Sequence, residues 1–134
     1  MELTDRAARR LRISTVGWLT TVSPAGRPQS SPVWFFWNGK DELLVYSLDD
    51  TARVRNLAAN PNVAFNLDGD AHGGDIVTLE GTAAIDREHE PADANSVYLD
   101  KYRGYLSAYG WTAEWFAGRY SVPIVITVQR IRTQ

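Results

Sequence analysis

Hydrophobic and polar residues alternate along this chain in short runs whose period changes at a few places. Runs rich in Thr, Val, Ile and Trp with period 2 predict six strands, at residues 14–22, 29–37, 43–48, 62–67, 75–85 and 122–131. Apolar residues at helical spacing predict four helices, at residues 4–12, 51–60, 92–107 and 111–120. Six closely spaced strands with helices at the margins favour a small antiparallel barrel, mainly β with flanking helices.

Turn-forming residues mark the boundaries of these elements. Residues 23–28 and the Asn38-Gly39 pair are typical of hairpin turns, and Pro61 lies where the second helix should stop. Pro32 falls inside the second predicted strand and has no N–H to donate to a neighbour. We therefore expect that strand to lie at a sheet edge or to contain a bulge.

Composition narrows the function classes. The 134 residues suit a single domain over residues 1–134, and 44% hydrophobic with 22% charged residues is ordinary for a globular protein. A net charge of -2 gives no reason to expect nucleic-acid binding. No apolar run predicts a membrane span, and the charged N-terminus predicts no secretory signal. The absence of cysteine excludes disulfides and Cys-ligated metals and favours a cytoplasmic location.

Residues 46–61 form the segment with the clearest chemical potential. A predicted strand ends at Ser47, a short loop follows, and the next helix carries Arg53 and Arg55 near its start. Free N–H groups and the helix dipole favour an anion at such a point, and a hydroxyl with a guanidinium would complete a phosphate site. The alternative is an ordinary capped surface helix, and the neighbouring Asp49 and Asp50 weigh against an anion.

Other polar groups give weaker signals. The loop 68–75 is rich in Asp and Gly but lacks the glutamate that an EF-hand needs at its twelfth position, and we expect no metal site. The only two histidines, His72 and His89, have no evident partner set for metal, heme or nucleophilic catalysis. In the aromatic stretch 111–120, Trp111 and Trp115 either pack on the barrel or form part of a substrate pocket.

Four stretches, in this order, resemble one known family. They are residues 17–35, the Arg-Asn-Leu and Asn-Pro pattern within 55–61, the Glu-Gly strand at 77–83, and the Lys-Tyr helix segment at 98–102. The pattern resembles the pyridoxamine 5'-phosphate oxidase-like split barrels, especially the actinobacterial flavin and deazaflavin oxidoreductases. The resemblance covers nearly the whole chain and implies a six-stranded antiparallel split β-barrel of the FMN-binding type.

The resemblance also implies roles for particular residues. Arg53 matches the phosphate-binding Lys or Arg, Ser47 the hydroxyl that ends the preceding strand, and Leu48 the adjacent backbone. Arg55 would either reach the phosphate or pair with an acid across a dimer. The strand that lies along the cofactor ring corresponds to Gln29, Ser31, Pro32, Val33 and Trp34. No residue is identified as catalytic.

The resemblance implies an oxidoreductase that transfers a hydride between coenzyme F420 and a small or planar organic substrate. FMN is the alternative cofactor, and a non-catalytic flavin or deazaflavin carrier is the alternative function. In this family two barrels pack together with each cofactor at their interface. The expected partners are therefore a second copy of the chain and a small-molecule substrate, without nucleic acid or membrane.

Overall fold

The computed structural model describes residues 3–134. Residues 1 and 2, which belong to the stretch where we predicted no secretory signal, lie outside it. The described residues form four α-helices, a 3-10 turn at Ala92–Ala94 and seven strands. The helices are α1 (Asp5–Ile13), α2 (Ala52–Ala59), α3 (Ser96–Tyr109) and α4 (Ala113–Arg119). The strands are β1 (Gly17–Val22), β2 (Pro28–Val33), β3 (Phe36–Trp37), β4 (Glu42–Ser47), β5 (Asn62–Asn66), β6 (Val77–Ile85) and β7 (Val122–Thr133).

The predicted strand at 29–37 is two strands, which raises the count from six to seven. Its interruption falls at Trp34 and Phe35, between β2 and β3. The Phe35 N–H donates to the Tyr102 hydroxyl, so this backbone bonds to a side chain of α3 instead of a neighbouring strand. The predicted helix at 92–107 is also divided, because the Asn95 side chain accepts from the Tyr98 N–H and caps α3.

All seven strands belong to one antiparallel sheet in the order β2-β1-β5-β6-β7-β4-β3. The two edge strands, β2 and β3, are joined only by Trp34 and Phe35. Three Cα–Cα steps reach at most about 11 Å, so the two edges must come close together. The sheet is therefore curled into a split barrel, and the position of Pro32 on an edge strand agrees with its lack of an N–H.

The sheet is covered on both faces. Inside the curl lies the main hydrophobic core, which includes Leu43 and Val45 of β4. Leu44 and Tyr46 of the same strand point the other way and pack in a second cluster with α3 and α4. Alternate residues of one strand thus serve two cores. No helix among residues 3–134 is both long and apolar enough to cross a membrane.

Gly81 is required by a close approach of two strands. It follows the register irregularity between β6 and β7, and a Cβ placed there would lie 2.0 Å from the Thr127 carbonyl oxygen. At Gly104, on the exposed side of α3, a Cβ would have no neighbour within 4 Å. The same substitution should therefore have opposite effects at the two positions.

We expect Gly81→Ala to lower the free energy of unfolding by about 1–3 kcal/mol, because the backbone must move to relieve the overlap. Gly104→Ala should raise it by up to about 1 kcal/mol, because alanine favours helix over glycine. Urea unfolding of both variants measures the two effects. Equal destabilisation by the two substitutions would contradict the strand approach described here.

Candidate functional site

A short loop, residues 48–51, joins the end of β4 to the start of α2, as the sequence pattern predicts. Ser47 ends the strand, and Thr51 caps the helix by accepting from the Val54 N–H. The first backbone N–H groups of a helix have no partner within it. The loop therefore brings a hydroxyl, a helix start and Arg53 into one place.

Arg53 is held by two hydroxyl groups. Its Nη1 donates to Ser47 Oγ at 3.0 Å, and its Nε and Nη2 donate to Ser31 Oγ at 3.2 and 3.0 Å. Ser47 in turn donates its own proton to the Leu48 carbonyl at 2.8 Å. The Ser31 proton has no acceptor among the described residues, so Ser31 is free to donate to an anion. Ser47 instead fixes the guanidinium in place.

No carboxylate neutralises Arg53 among residues 3–134. Burial lowers the pKa of its guanidinium, and only the nearby Tyr120 acts in the opposite direction. A half-buried cation without an acidic partner is costly unless something else compensates its charge. This is the environment that a bound anion would satisfy.

The two aspartates before α2 are directed elsewhere. Asp50 pairs with Arg55 at 2.7 Å, and Asp49 lies 3.4 Å from Arg87, both on the exposed surface. Surface pairs of this kind contribute little to stability. Because both aspartates pair with other arginines, neither neutralises Arg53. The Arg55 side chain lies against Asp50 instead of beside Arg53.

Two clefts meet at Arg53. The larger, here called the aromatic cleft, has a volume of about 440 Å³ and is lined by Val16, Pro32, Val33, Trp34, Tyr46, Leu48, Arg53, Tyr109, Trp111, Phe116 and Tyr120. The smaller, here called the polar cleft, has a volume of about 130 Å³ and is lined by Thr21, Gln29, Ser30, Ser31, Thr51, Ala52 and Arg53. An aromatic-walled space thus adjoins a space lined by hydroxyls and a helix start.

Parallel rings stiffen one wall of the aromatic cleft. The Trp34 ring stacks on Tyr102 at 4.6 Å between centroids and 5° between planes. Trp34 also stacks on Phe116 with a centroid distance of 5.5 Å, and Phe116 stacks on Tyr120 at 4.6 Å. Aromatic pairs of this geometry contribute beyond their buried area. The wall is a packed column of rings, which suits it to contact a flat ligand.

A family model described as pyridoxamine 5'-phosphate oxidase matches residues 3–134. The chain belongs to the pyridoxamine 5'-phosphate oxidase family. This agrees with the resemblance found in the sequence and with the split barrel described above. A search among curated proteins gave no match.

Solved structures of several proteins share the fold. An F420 reductase is 22% identical with a TM-score of 0.72, covering 98% of this chain and 100% of that one. A candidate pyridoxamine 5'-phosphate oxidase from Listeria innocua is 26% identical with a TM-score of 0.68, covering 98% of both chains. A heme storage protein from Vibrio cholerae is 17% identical with a TM-score of 0.67, covering 99% and 95%. Proteins that share this fold therefore differ in function.

This pyridoxamine 5'-phosphate oxidase family member brings most of the residues named from its sequence to the two clefts. Of these residues, the aromatic cleft is lined by Pro32, Val33, Trp34, Leu48, Arg53 and Trp111. The polar cleft is lined by Gln29, Ser31 and Arg53. Ser47 lines neither cleft but binds the guanidinium. Arg55 and Trp115 line neither cleft, although the Trp115 ring is 4.8 Å from that of Trp111.

Sequence reasoning missed several lining residues. Phe116 and Tyr120 lie within the aromatic stretch that we had singled out, and Tyr46 directly precedes Ser47. These positions, within or next to segments already singled out, could have identified the three residues as lining residues. Val16 precedes Gly17, which pairs with Val33, so the predicted hairpin was the signal that places it beside Trp34. Tyr109, at the end of α3, reaches the cleft only through the tertiary packing of that helix.

The remaining candidates line neither the aromatic cleft nor the polar cleft. No cluster of three or more His, Cys, Asp or Glu that could hold a metal occurs within residues 3–134. In the loop 68–75, Asp75 pairs with Arg6 at 2.7 Å, and the Arg6 hydrogen bond lowers the pKa of that carboxyl. The lining of the aromatic cleft includes neither described histidine.

Arg53→Met is expected to leave the free energy of unfolding within about 1 kcal/mol of the wild-type value. The substitution loses hydrogen bonds to two serines but also removes the desolvation cost of an unneutralised cation. Urea unfolding measures the difference. A loss of more than about 2 kcal/mol would show that Arg53 serves the fold instead of a ligand.

Proposed function

We propose that this protein is an F420-dependent oxidoreductase, with FMN as the alternative cofactor, acting on a small or planar organic substrate. The supporting observation is Arg53, a half-buried cation without a carboxylate partner among the described residues, where the aromatic and polar clefts meet. A cofactor with a phosphate joined to a flat ring system needs a polar cleft for the phosphate beside an aromatic cleft for the ring. The proposed location of the protein is the cytoplasm.

In this proposal the phosphate lies in the polar cleft. Arg53 supplies the charge, Ser31 donates its free hydroxyl proton, and the first N–H groups of α2 face the anion. Gln29 is oriented by Asn56, whose Nδ2 donates to its Oε1 at 2.8 Å. This leaves the amide NH2 of Gln29 as a further donor.

The flat part of the cofactor lies in the aromatic cleft, along Pro32, Val33 and Trp34. The bound cofactor supplies the hydride chemistry, as flavin and deazaflavin cofactors do in general. The chain binds the ring, orients it and excludes water through the aromatic wall. The F420 reductase among the similar structures supports this choice of cofactor.

We expect Arg53→Met to weaken the binding of FMN or reduced F420 by about 10- to 100-fold, because it removes a charge-assisted contact worth about 1.5–3 kcal/mol. Arg55→Met is the matched control, since Arg55 pairs with Asp50 on the surface. Fluorescence titration measures both affinities. Binding of neither cofactor to the wild type at micromolar concentration would overturn the proposal, and equal losses in the two variants would misplace the phosphate.

A carrier function is distinguished from catalysis by turnover. The wild-type protein, loaded with reduced cofactor, is mixed with a panel of enones, quinones and tetrapyrroles, and cofactor oxidation is followed by absorbance. Oxidation above the protein-free rate supports an oxidoreductase. Tight binding without oxidation by any of the panel would favour a carrier.

We also propose that the protein is a homodimer with a cofactor site at each side of the interface. Exposed apolar side chains surround the aromatic cleft: Val16, Tyr109, Tyr105 and Trp115 are each 40–57% exposed. Exposed aromatic residues clustered at a site typically mark an interface. A second copy would cover them and close the cleft.

Sedimentation should show a dimer for the wild type and a monomer for Tyr105→Glu, because a buried unpaired carboxylate opposes association. Val97→Glu is the control on the same helix, since Val97 is also exposed but lies at the opposite end of α3. A monomeric wild type would contradict the proposal. A dimer that persists in Tyr105→Glu would place the interface elsewhere.

A further inference from the structure

The short connection between the two sheet edges depends on α3 for its hydrogen bonds. The Phe35 N–H donates to the Tyr102 hydroxyl at 2.7 Å, and the Phe35 carbonyl accepts from Lys101 Nζ at 2.7 Å. Buried backbone groups must be paired, and these two lie between strands where the sheet supplies no partner. Adjacent residues of one helix therefore bind both polar groups of a single peptide segment.

Tyr102 has one proton and two carbonyl oxygens within reach. Its hydroxyl lies 2.8 Å from the Thr15 carbonyl oxygen and 2.9 Å from that of Phe35. The Phe35 carbonyl already has Lys101, whereas the Thr15 carbonyl has only Tyr102 among the described residues. With Lys101 in place, the single phenol proton can go to Thr15.

This allocation joins two chain segments just beyond the pairing of β1 with β2. Gly17 pairs with Val33, so Thr15 and Phe35 lie on neighbouring segments, next to the cleft-lining Val16 and Trp34. The Tyr102 hydroxyl accepts from the Phe35 N–H and donates to the Thr15 carbonyl, while its ring stacks on Trp34. One buried side chain thus holds the two segments together where the strand pairing ends.

Lys101 occupies an unusual environment for a lysine. Its Nζ lies 3.9 Å from the centre of the Phe35 ring, and it has no carboxylate partner among residues 3–134. Burial lowers the pKa of its ammonium to about 8. Lysine is seldom buried without an acid. Its position is explained by the carbonyl that it satisfies and the ring beneath it.

We propose that Lys101 is a positioning residue for the aromatic cleft, which by binding the Phe35 carbonyl commits the Tyr102 proton to Thr15 and so holds the Val16 and Trp34 segments together beyond the end of the β1–β2 pairing. The significance of this role for cofactor binding rests on the proposed function. The arrangement of these two segments does not, because it can be measured in the protein without a ligand.

The first measurement is 19F NMR of the full chain labelled with 5-fluorotryptophan, with the Trp34 signal assigned through Trp34→Phe. Lys101→Met should shift or broaden the Trp34 signal. Without Lys101, Tyr102 must donate its proton to the Phe35 carbonyl and so loses its hydrogen bond to Thr15. Lys40→Met is the matched control, since Lys40 is the other lysine and lies exposed in the turn after β3. An unchanged Trp34 signal in folded Lys101→Met would overturn the proposal.

The second measurement is the affinity for FMN at a temperature where every variant is folded. Lys101→Met should weaken binding by about threefold to tenfold, within the range for residues that act on a site through others. Tyr102→Phe alone should weaken FMN binding by at least as much, because it removes the contact to Thr15 that Lys101 secures. Unchanged affinity in Tyr102→Phe would mean that Lys101 does not act through Tyr102.

The outcomes separate this inference from the proposed function. A wild type that binds neither cofactor contradicts the proposed function, while the Trp34 signal still decides the role of Lys101. A wild type that binds FMN with unchanged affinity in Lys101→Met contradicts the inference alone. If Lys101→Met does not fold, Lys101→Gln replaces it in both measurements, since the shorter amide cannot make the same contact.

Discussion

The connection of two residues between β2 and β3 is the constraint on which the rest of the structure depends. It joins the two edges of a seven-stranded sheet, so the sheet must curl until those edges nearly meet. The segment cannot take its hydrogen bonds from the sheet, and α3 supplies them through Tyr102 and Lys101. The same curvature directs Trp34 out of the barrel, where it forms the wall of the cleft.

Charge placement at the site follows a consistent pattern. The acidic residues nearest to Arg53 in sequence pair with Arg55 and Arg87 on the surface, where solvent screens them. Arg53 is left with hydroxyl partners that cannot neutralise it. Its positive charge is therefore available to a ligand. Without a ligand, burying that charge lowers the stability of the folded protein.

The aromatic residues, a large share of this short chain, have two structural roles. Phe35 and Phe65 pack inside the curl with a centroid distance of 4.9 Å, as core residues do. Trp34, Phe116 and Tyr120 form the stacked column outside it, between β4 and the two C-terminal helices. Neighbouring residues such as Trp34 and Phe35 thus belong to different cores, because successive side chains of an extended chain point to opposite faces.

The sequence by itself determined the local structure: the helix and strand positions, the family, and the strand, loop and helix that carry Ser47 and Arg53. Periodicity, caps and turns are local properties, and they predicted these features correctly apart from the division of the helix at 92–107 and the break at Trp34 and Phe35. That break depends on Tyr102, which is 67 residues away from Phe35. Only the tertiary structure decided that the aspartates turn away from Arg53, that Tyr109 reaches the cleft, and that Trp115 stays outside it. These outcomes depend on contacts between elements that are far apart in the sequence, and the curl of the sheet brings those elements together.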